Sequence, residues 1–237
     1  KLYGIKKSLS RLLIKFSENF SSGYVLSLIK KSMKYDILDW VIAIRKRKTM
    51  SFDGFFLHHM TAELRANLEG GRIQKINQPF KQEIVLNIRS NRQSHKLLLS
   101  AHSILGRVQL TQTEFTNPKV PNTFTMILRK YLQGAVIEEI KQLENDRILE
   151  FSVSNKDEIG DHIQATLIVE IMGKHSNIIL VDKSEQKIIE AIKHVGFSQN
   201  SYRTILPGST YIRPPEKHSL NPYTVSDEKL FELLSTQ

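Results

Sequence analysis

Residues 165–182, reading ATLIVEIMGKHSNIILVD, leave the chain few options. Two apolar runs are broken once, at Met172-Gly173-Lys174-His175-Ser176. Leu167, Val169 and Ile171 recur at period two, and 178–181 is a continuous apolar run. Both runs are of strand length and rich in β-branched residues, which predicts a β-hairpin with a tight tip centred on glycine. Glu170 stands inside the first run. A carboxylate there needs a partner, because burying it bare is costly. It belongs to a half-exposed strand face, a structural ion pair or a functional site. The tip mimics a phosphate loop, but the Walker spacing requires glycine where Ile168 stands and Ser or Thr where His175 stands, so the match fails.

The chain upstream carries the same logic. Asp53 is placed to cap a helix, with Phe52 and Leu57 as a hydrophobic staple, a stripe of Phe56, Met60, Leu64 and Leu68, and Gly70-Gly71 as the stop. His58 and His59 lie on this helix without a further ligand at metal spacing, so they read as packing or surface residues. The period then switches to two, predicting strands over 72–77, 83–89, 95–100 and 107–111, divided at Gln78-Pro79, Ser90-Asn91 and 103–106. Such short connections make an antiparallel meander. A second helix opens at Pro121 or Asn122, buries Phe124, Ile127, Leu128, Tyr131 and Leu132, and closes at Gly134. Strands over 136–141 and 148–154, the hairpin, and a strand over 187–192 complete the pattern. The fold class is α+β, with antiparallel sheets and two main helices.

Charge and composition bound the partners. Net charge is +10, yet residues 1–49 hold 12 Lys or Arg against 3 Asp or Glu, and residues 50–237 hold 22 against 21. A nucleic-acid surface on the folded part is therefore a local patch. The first 49 residues include a basic amphipathic pattern (Leu2, Ile5, Leu9, Leu12, Phe16, Phe20), read as a membrane-surface or RNA-binding arm, or as an extension ahead of a start at Met50. The chain has no cysteine, which rules out disulfides and thiolate zinc sites. No run approaches the ~20 apolar residues of a membrane span. No cofactor or metal is expected.

Two polar stretches stand out. Asp146-Arg147 sits in the turn 144–147 at a strand entrance, either as a turn residue beside a surface cation or as an oriented guanidinium offered to a phosphate or base. In the loop 193–203, Lys193 and Arg203 flank Phe197 and Tyr202, so the loop either stacks bases and touches phosphate or packs as an Ω-loop.

Met50-Ser51-Phe52-Asp53-Gly54, Gly71-Arg72-Ile73, Leu97-Leu98-Leu99-Ser100-Ala101-His102, Asp146-Arg147, the run Glu170-Ile171-Met172-Gly173-Lys174-His175-Ser176-Asn177 and Asn200-Ser201-Tyr202-Arg203-Thr204 resemble the amino-terminal NFACT domain. That family comprises RqcH-type ribosome quality control factors, also described as FbpA/PavA-type fibronectin-binding proteins of Gram-positive cocci. The resemblance covers residues 50–215. It implies a fold like the amino-terminal domain of formamidopyrimidine-type DNA glycosylases. Residues 216–237 read as a linker and the start of another helix, which suggests a fragment.

The resemblance implies a factor that binds tRNA (alanyl-tRNA) and the large ribosomal subunit carrying peptidyl-tRNA, and promotes carboxy-terminal alanine tailing in the cytoplasm. Its Asp-Arg pair falls on Asp146 and Arg147, and its Glu-Ile-Met run on Glu170, Ile171 and Met172. With Lys174, His175, Lys193 and Arg203 these form the expected tRNA site. The glycosylases use an amino-terminal Pro nucleophile beside a Glu; Met50-Ser51 stands here instead, so binding rather than catalysis is expected. The alternatives are an anchorless fibronectin-binding adhesin at the cell surface and a glycosylase-like DNA-binding enzyme.

Overall fold

The computed structural model describes residues 52–156 and 160–215. The basic helix expected within the first 49 residues and the helix expected at 226–234 lie outside the described residues. Helix α1 (Gly54–Leu68) starts where Asp53 accepts the Phe56 amide at 2.8 Å. Its buried stripe is Leu57, Thr61, Leu64 and Leu68, which corrects the expected stripe at two positions. Phe56 is exposed, and Met60 is only partly buried. Thr61 can occupy the stripe because its hydroxyl donates to the Leu57 carbonyl at 2.7 Å, leaving no unsatisfied polar atom inside.

Four strands follow: β1 (Arg72–Phe80), β2 (Glu83–Ser90), β3 (Gln93–Ser100) and β4 (Arg107–Leu110). Helix α2 (Thr123–Leu132) is capped by Asn122, whose side chain accepts the Thr125 amide at 2.9 Å. Then come β5 (Val136–Gln142), β6 (Ile148–Lys156), β7 (His162–Glu170), β8 (Asn177–Asp182) and β9 (Ile188–Ala191). The expected break at Gln78-Pro79 lies inside β1. Pairing with β2 slips between Asn77 and Phe80 at that point, which accommodates a proline that has no amide to donate.

All nine strands form one antiparallel sheet in the order β4-β3-β2-β1-β5-β6-β7-β8-β9. Alternation along β7 and β8 divides the core. Leu167, Val169, Ile178 and Leu180 join both helices in the main cluster. Ile168, Ile179 and Val181 face the other way and pack with Leu143, Ile148, Ile188 and Ile205.

The order helix, then meander, occurs twice, and the sequence repeats with it. Residues 61–78 and 125–142 share Thr-x-x-Leu-Arg-x-x-Leu-x-Gly-x-x-Ile-x-x-Ile-x-Gln at a constant separation of 64. Each shared residue does the same work. Gly70 and Gly134 follow their helices at φ +74° and +86°, where a side chain would be strained. Across the β1–β5 seam the bonds are reciprocal: Gly70 N to Ile137 O and Gly134 N to Ile73 O, both 2.8 Å. Ile73 N to Ala135 O and Ile137 N to Gly71 O follow, both 2.9 Å. Arg65 Nε donates to Ile140 O at 2.5 Å, and Arg129 Nε to Ile76 O at 2.9 Å. Both first strands slip register at the same step, 73/75 and 137/139. Contacts that exchange partners in this way are the signature of two-fold symmetry. The domain is an internal duplication about the β1–β5 seam, with β9 added to the second half.

Candidate nucleic-acid interface

The predicted site residues meet at the end of the sheet where β6 begins and β7 ends. Asp146 N donates to Leu143 O at 3.0 Å, closing the turn before β6. Asp146 Oδ1 then accepts the amide of Arg147 at 2.7 Å, and Arg147 O accepts the Ile171 amide at 2.8 Å. The Arg147 backbone is thus fixed on both sides. Asp146 does not orient the Arg147 guanidinium, because its Oδ1 is engaged instead by the backbone amide of the same arginine. The half-exposed guanidinium itself has no hydrogen-bond or ionic partner among the described residues.

After β7 the chain makes a single 3-10 turn, Gly173–His175, with Gly173 at φ +60°. Ser176 Oγ accepts the Met172 amide at 2.9 Å, and this holds the turn shut while Lys174 and His175 stay exposed. Ile171 is buried in the main core, and Met172 packs partly against the second cluster, so both act on this surface by shaping it. Lys193 is tied to the same place. Its backbone brackets the Asn177 side chain (2.8 and 3.1 Å), and its ammonium donates to Ala101 O at 2.6 Å. Partial burial pushes that ammonium below the usual lysine pKa.

Glu170 and Arg203 are placed differently from the other expected contacts. Their side chains are 0 and 6% exposed and form a two-pronged ion pair, with both N···O distances 2.6 Å. Arg203 Nη1 also donates to Ile212 O at 3.1 Å, and the Tyr211 hydroxyl donates to Glu170 Oε1 at 2.9 Å. Burial works against the Arg203 charge, but the Glu170 carboxylate holds its pKa above the ordinary arginine value. Burial, with the same carboxylate, pushes the Tyr211 phenol above the tyrosine range. As direct RNA contacts Glu170 and Arg203 are corrected to supports: together they tie the loop 193–212 to the end of β7. That loop is closed by Val195 and Ile205 exchanging backbone bonds at 3.0 and 2.8 Å, and it presents Phe197 and Tyr202 at 73 and 55% exposure.

A neighbour of this site was not foreseen. The loop 101–106 packs on the 171–176 tip: a Cβ on Gly106 would stand 3.2 Å from Ser176 Oγ and 3.3 Å from the Ile171 side chain. Within the loop, His102 Nδ1 accepts the amides of Ile104 and Leu105, both at 3.2 Å. Ile104 and Leu105 are each 59% exposed beside the cationic tip. The internal duplication accounts for this neighbour. Residues 97–110 and 167–180 are the same hairpin in the two halves, since Ser100 pairs with Glu83 as Glu170 pairs with Ile148.

The surface therefore offers cations, two exposed aromatic rings and an apolar ridge, a combination suited to phosphate and stacked bases. His58 and His59 lie on the outside of α1, stacked edge to face at 5.8 Å. Among the described residues no group of His, Asp and Glu is arranged to hold a metal, and no helix is long and apolar enough to cross a membrane.

The family model for the NFACT N-terminal and middle domains matches residues 53–237. Over 188 residues the chain is 95% identical to the Rqc2 homolog RqcH of Streptococcus suis and 46% identical to that of Bacillus subtilis. These matches cover 79% of this chain but 34 and 33% of the relatives, so the chain spans about a third of their length. The solved N-terminal structure of the fibronectin/fibrinogen-binding protein from Streptococcus suis is 95% identical, with a TM-score of 0.76, covering 79% of this chain and 70% of that one.

Proposed function

Because the chain belongs to the NFACT family, we propose that this domain binds tRNA at the large ribosomal subunit, as part of a ribosome quality control factor that extends obstructed nascent chains with alanine. The relatives' name supplies the class of process. The observation that carries the RNA contact is Arg147: its backbone is fixed at both ends, its guanidinium is unengaged among the described residues, and Lys174 and His175 stand on the neighbouring turn. A guanidinium suits this task because its planar fork grips phosphate or a base edge with two parallel bonds. The domain's part is to hold and position RNA, and the chemistry of peptide transfer belongs to the ribosome. A likeness to glycosylase amino-terminal domains would concern the scaffold alone.

The test is binding of a labelled alanine tRNA to the purified chain. Saturable binding that weakens as salt rises is expected, since each neutralised phosphate releases counterions. Absence of saturable binding at low salt overturns the reading. The name of the Streptococcus suis structure favours a second reading, fibronectin binding. Immobilised fibronectin, tested with the same preparation, separates the two.

A further inference from the structure

The two helices share their ends and differ at their beginnings. α1 has 15 residues and α2 has 10. At the separation of 64, the cap Asn122 corresponds to His58, so residues 54–58 of α1 have no helical counterpart. In the corresponding stretch 118–122, Pro121 stands where Leu57 donates to the Asp53 carbonyl at 3.0 Å, and proline has no amide for that bond, so α2 does not extend backwards.

In the second half the extra turn of α1 is seated against the β5–β6 connection. Gln142 Nε2 donates to Gly54 O at 2.9 Å and to Asp146 O at 2.8 Å. Leu57 is fully buried, and Gly54 lies so close that a Cβ would run into the Asn145 carbonyl. In the first half the counterpart Gln78 turns to its own hairpin: Nε2 donates to Lys81 O at 2.8 Å and Oε1 accepts from Thr125 at 2.9 Å. Where the other half holds a helical turn, this half has an open cleft of about 340 Å³ between 77–81 and 117–122, with Thr125 and Arg129 behind it. Its lining is mixed: Phe80, 59% exposed, and Val120, 79% exposed, form an apolar part with Pro79, Pro118 and Pro121, beside polar Asn77, Lys81 and Asn117.

We propose that this cleft docks the first turn of a helix from another polypeptide, one that presents a large apolar side chain and a backbone carbonyl able to accept a further bond, as Leu57 and Gly54 do in the second half. The occupant follows from the internal symmetry, which shows what the same frame holds when the slot is filled. It is a protein contact, independent of the RNA reading.

A synthetic peptide of residues 52–62 of this chain is the probe, titrated into the isotope-labelled 237-residue chain and followed by NMR. Saturable shifts at Gln78, Phe80 and Thr125 are expected, and a peptide carrying Leu57→Ala should lose them. Phe80→Ala and Val120→Ser, both at exposed positions, should weaken binding about tenfold or more, the range of a lost apolar anchor, without changing the melting temperature. Three outcomes overturn the proposal: no saturable shift up to about millimolar peptide, shifts confined to residues 142–147 as the peptide displaces α1, or shifts at the cleft produced by an RNA oligonucleotide and not by the peptide.

Discussion

The two halves of the domain share a frame and differ in what they place on it. In each, a carbonyl of the first hairpin accepts the amide of the residue after the third strand: Ala101 N donates to Gln82 O and Ile171 N to Arg147 O, both at 2.8 Å. Lys81-Gln82 thus stands where the second half has Asp146-Arg147, and Ser100 stands where it has Glu170. The first half closes with the half-buried group of Ser100, Glu83 and Arg107, at 2.9 and 3.4 Å. The second closes with a buried ion pair and adds a cationic turn. The two halves thus keep one scaffold and differ in the polar groups they carry at one end. Function here belongs to the site and not to the fold.

Breaking the two closures should show the contrast at its largest. Glu170→Ala leaves the buried Arg203 guanidinium without its carboxylate, and losing one partner of a buried pair costs about 3–5 kcal/mol. Ser100→Ala removes its hydroxyl bond to Glu83 Oε1 at 2.9 Å and the longer one it accepts from the His102 amide at 3.4 Å, for about 1–2 kcal/mol in all. Urea denaturation of both variants measures the difference; equal losses would mean that the halves close alike. The seam should behave symmetrically instead. Gly70→Ala and Gly134→Ala each force a left-handed residue, at about 1–2 kcal/mol, and the two costs should match. The caps give the next comparison: Asp53→Ala and Asn122→Ala should each cost about 1 kcal/mol.

The smallest effect is a pH dependence confined to the second half. Tyr211 has a folded pKa above its unfolded value of about 10. Its contribution is complete below that value and is lost as pH rises through the folded pKa. Stability should therefore fall above about pH 10, and Tyr211→Phe should flatten the fall. Denaturation midpoints from pH 9 upward decide this.

Most of the fold could be read from local pattern. Period-two runs gave the strands because each strand has a buried face, and cap chemistry, being local, gave one helix start at Asp53 and narrowed the other to Pro121 or Asn122, of which Asn122 is the cap. Two features escaped. Thr61 concealed the true stripe of α1, since its polarity is cancelled only by a bond to Leu57 within the helix. The repeat escaped because eight identities spread over eighteen positions show no run, and only the reciprocal seam makes their spacing visible. In the site, the need of Glu170 for a partner was legible, but the partner was not. Arg203 lies 33 residues away, across β8, β9 and a loop whose path no local pattern sets.

The measurement that bears most directly on the account compares Arg147→Ala with Gln82→Ala, the same position in the two halves. Affinity for labelled alanine tRNA and melting temperature are taken on one preparation of each. Arg147→Ala should weaken binding by about 1–3 kcal/mol, the loss expected for a charge-assisted contact, with Arg147→Lys restoring it in part, while Gln82→Ala leaves affinity unchanged and both variants keep their melting temperature. Equal weakening by the two substitutions, or a lowered melting temperature with unchanged affinity for Arg147→Ala, would contradict the assignment of RNA contact to the second half.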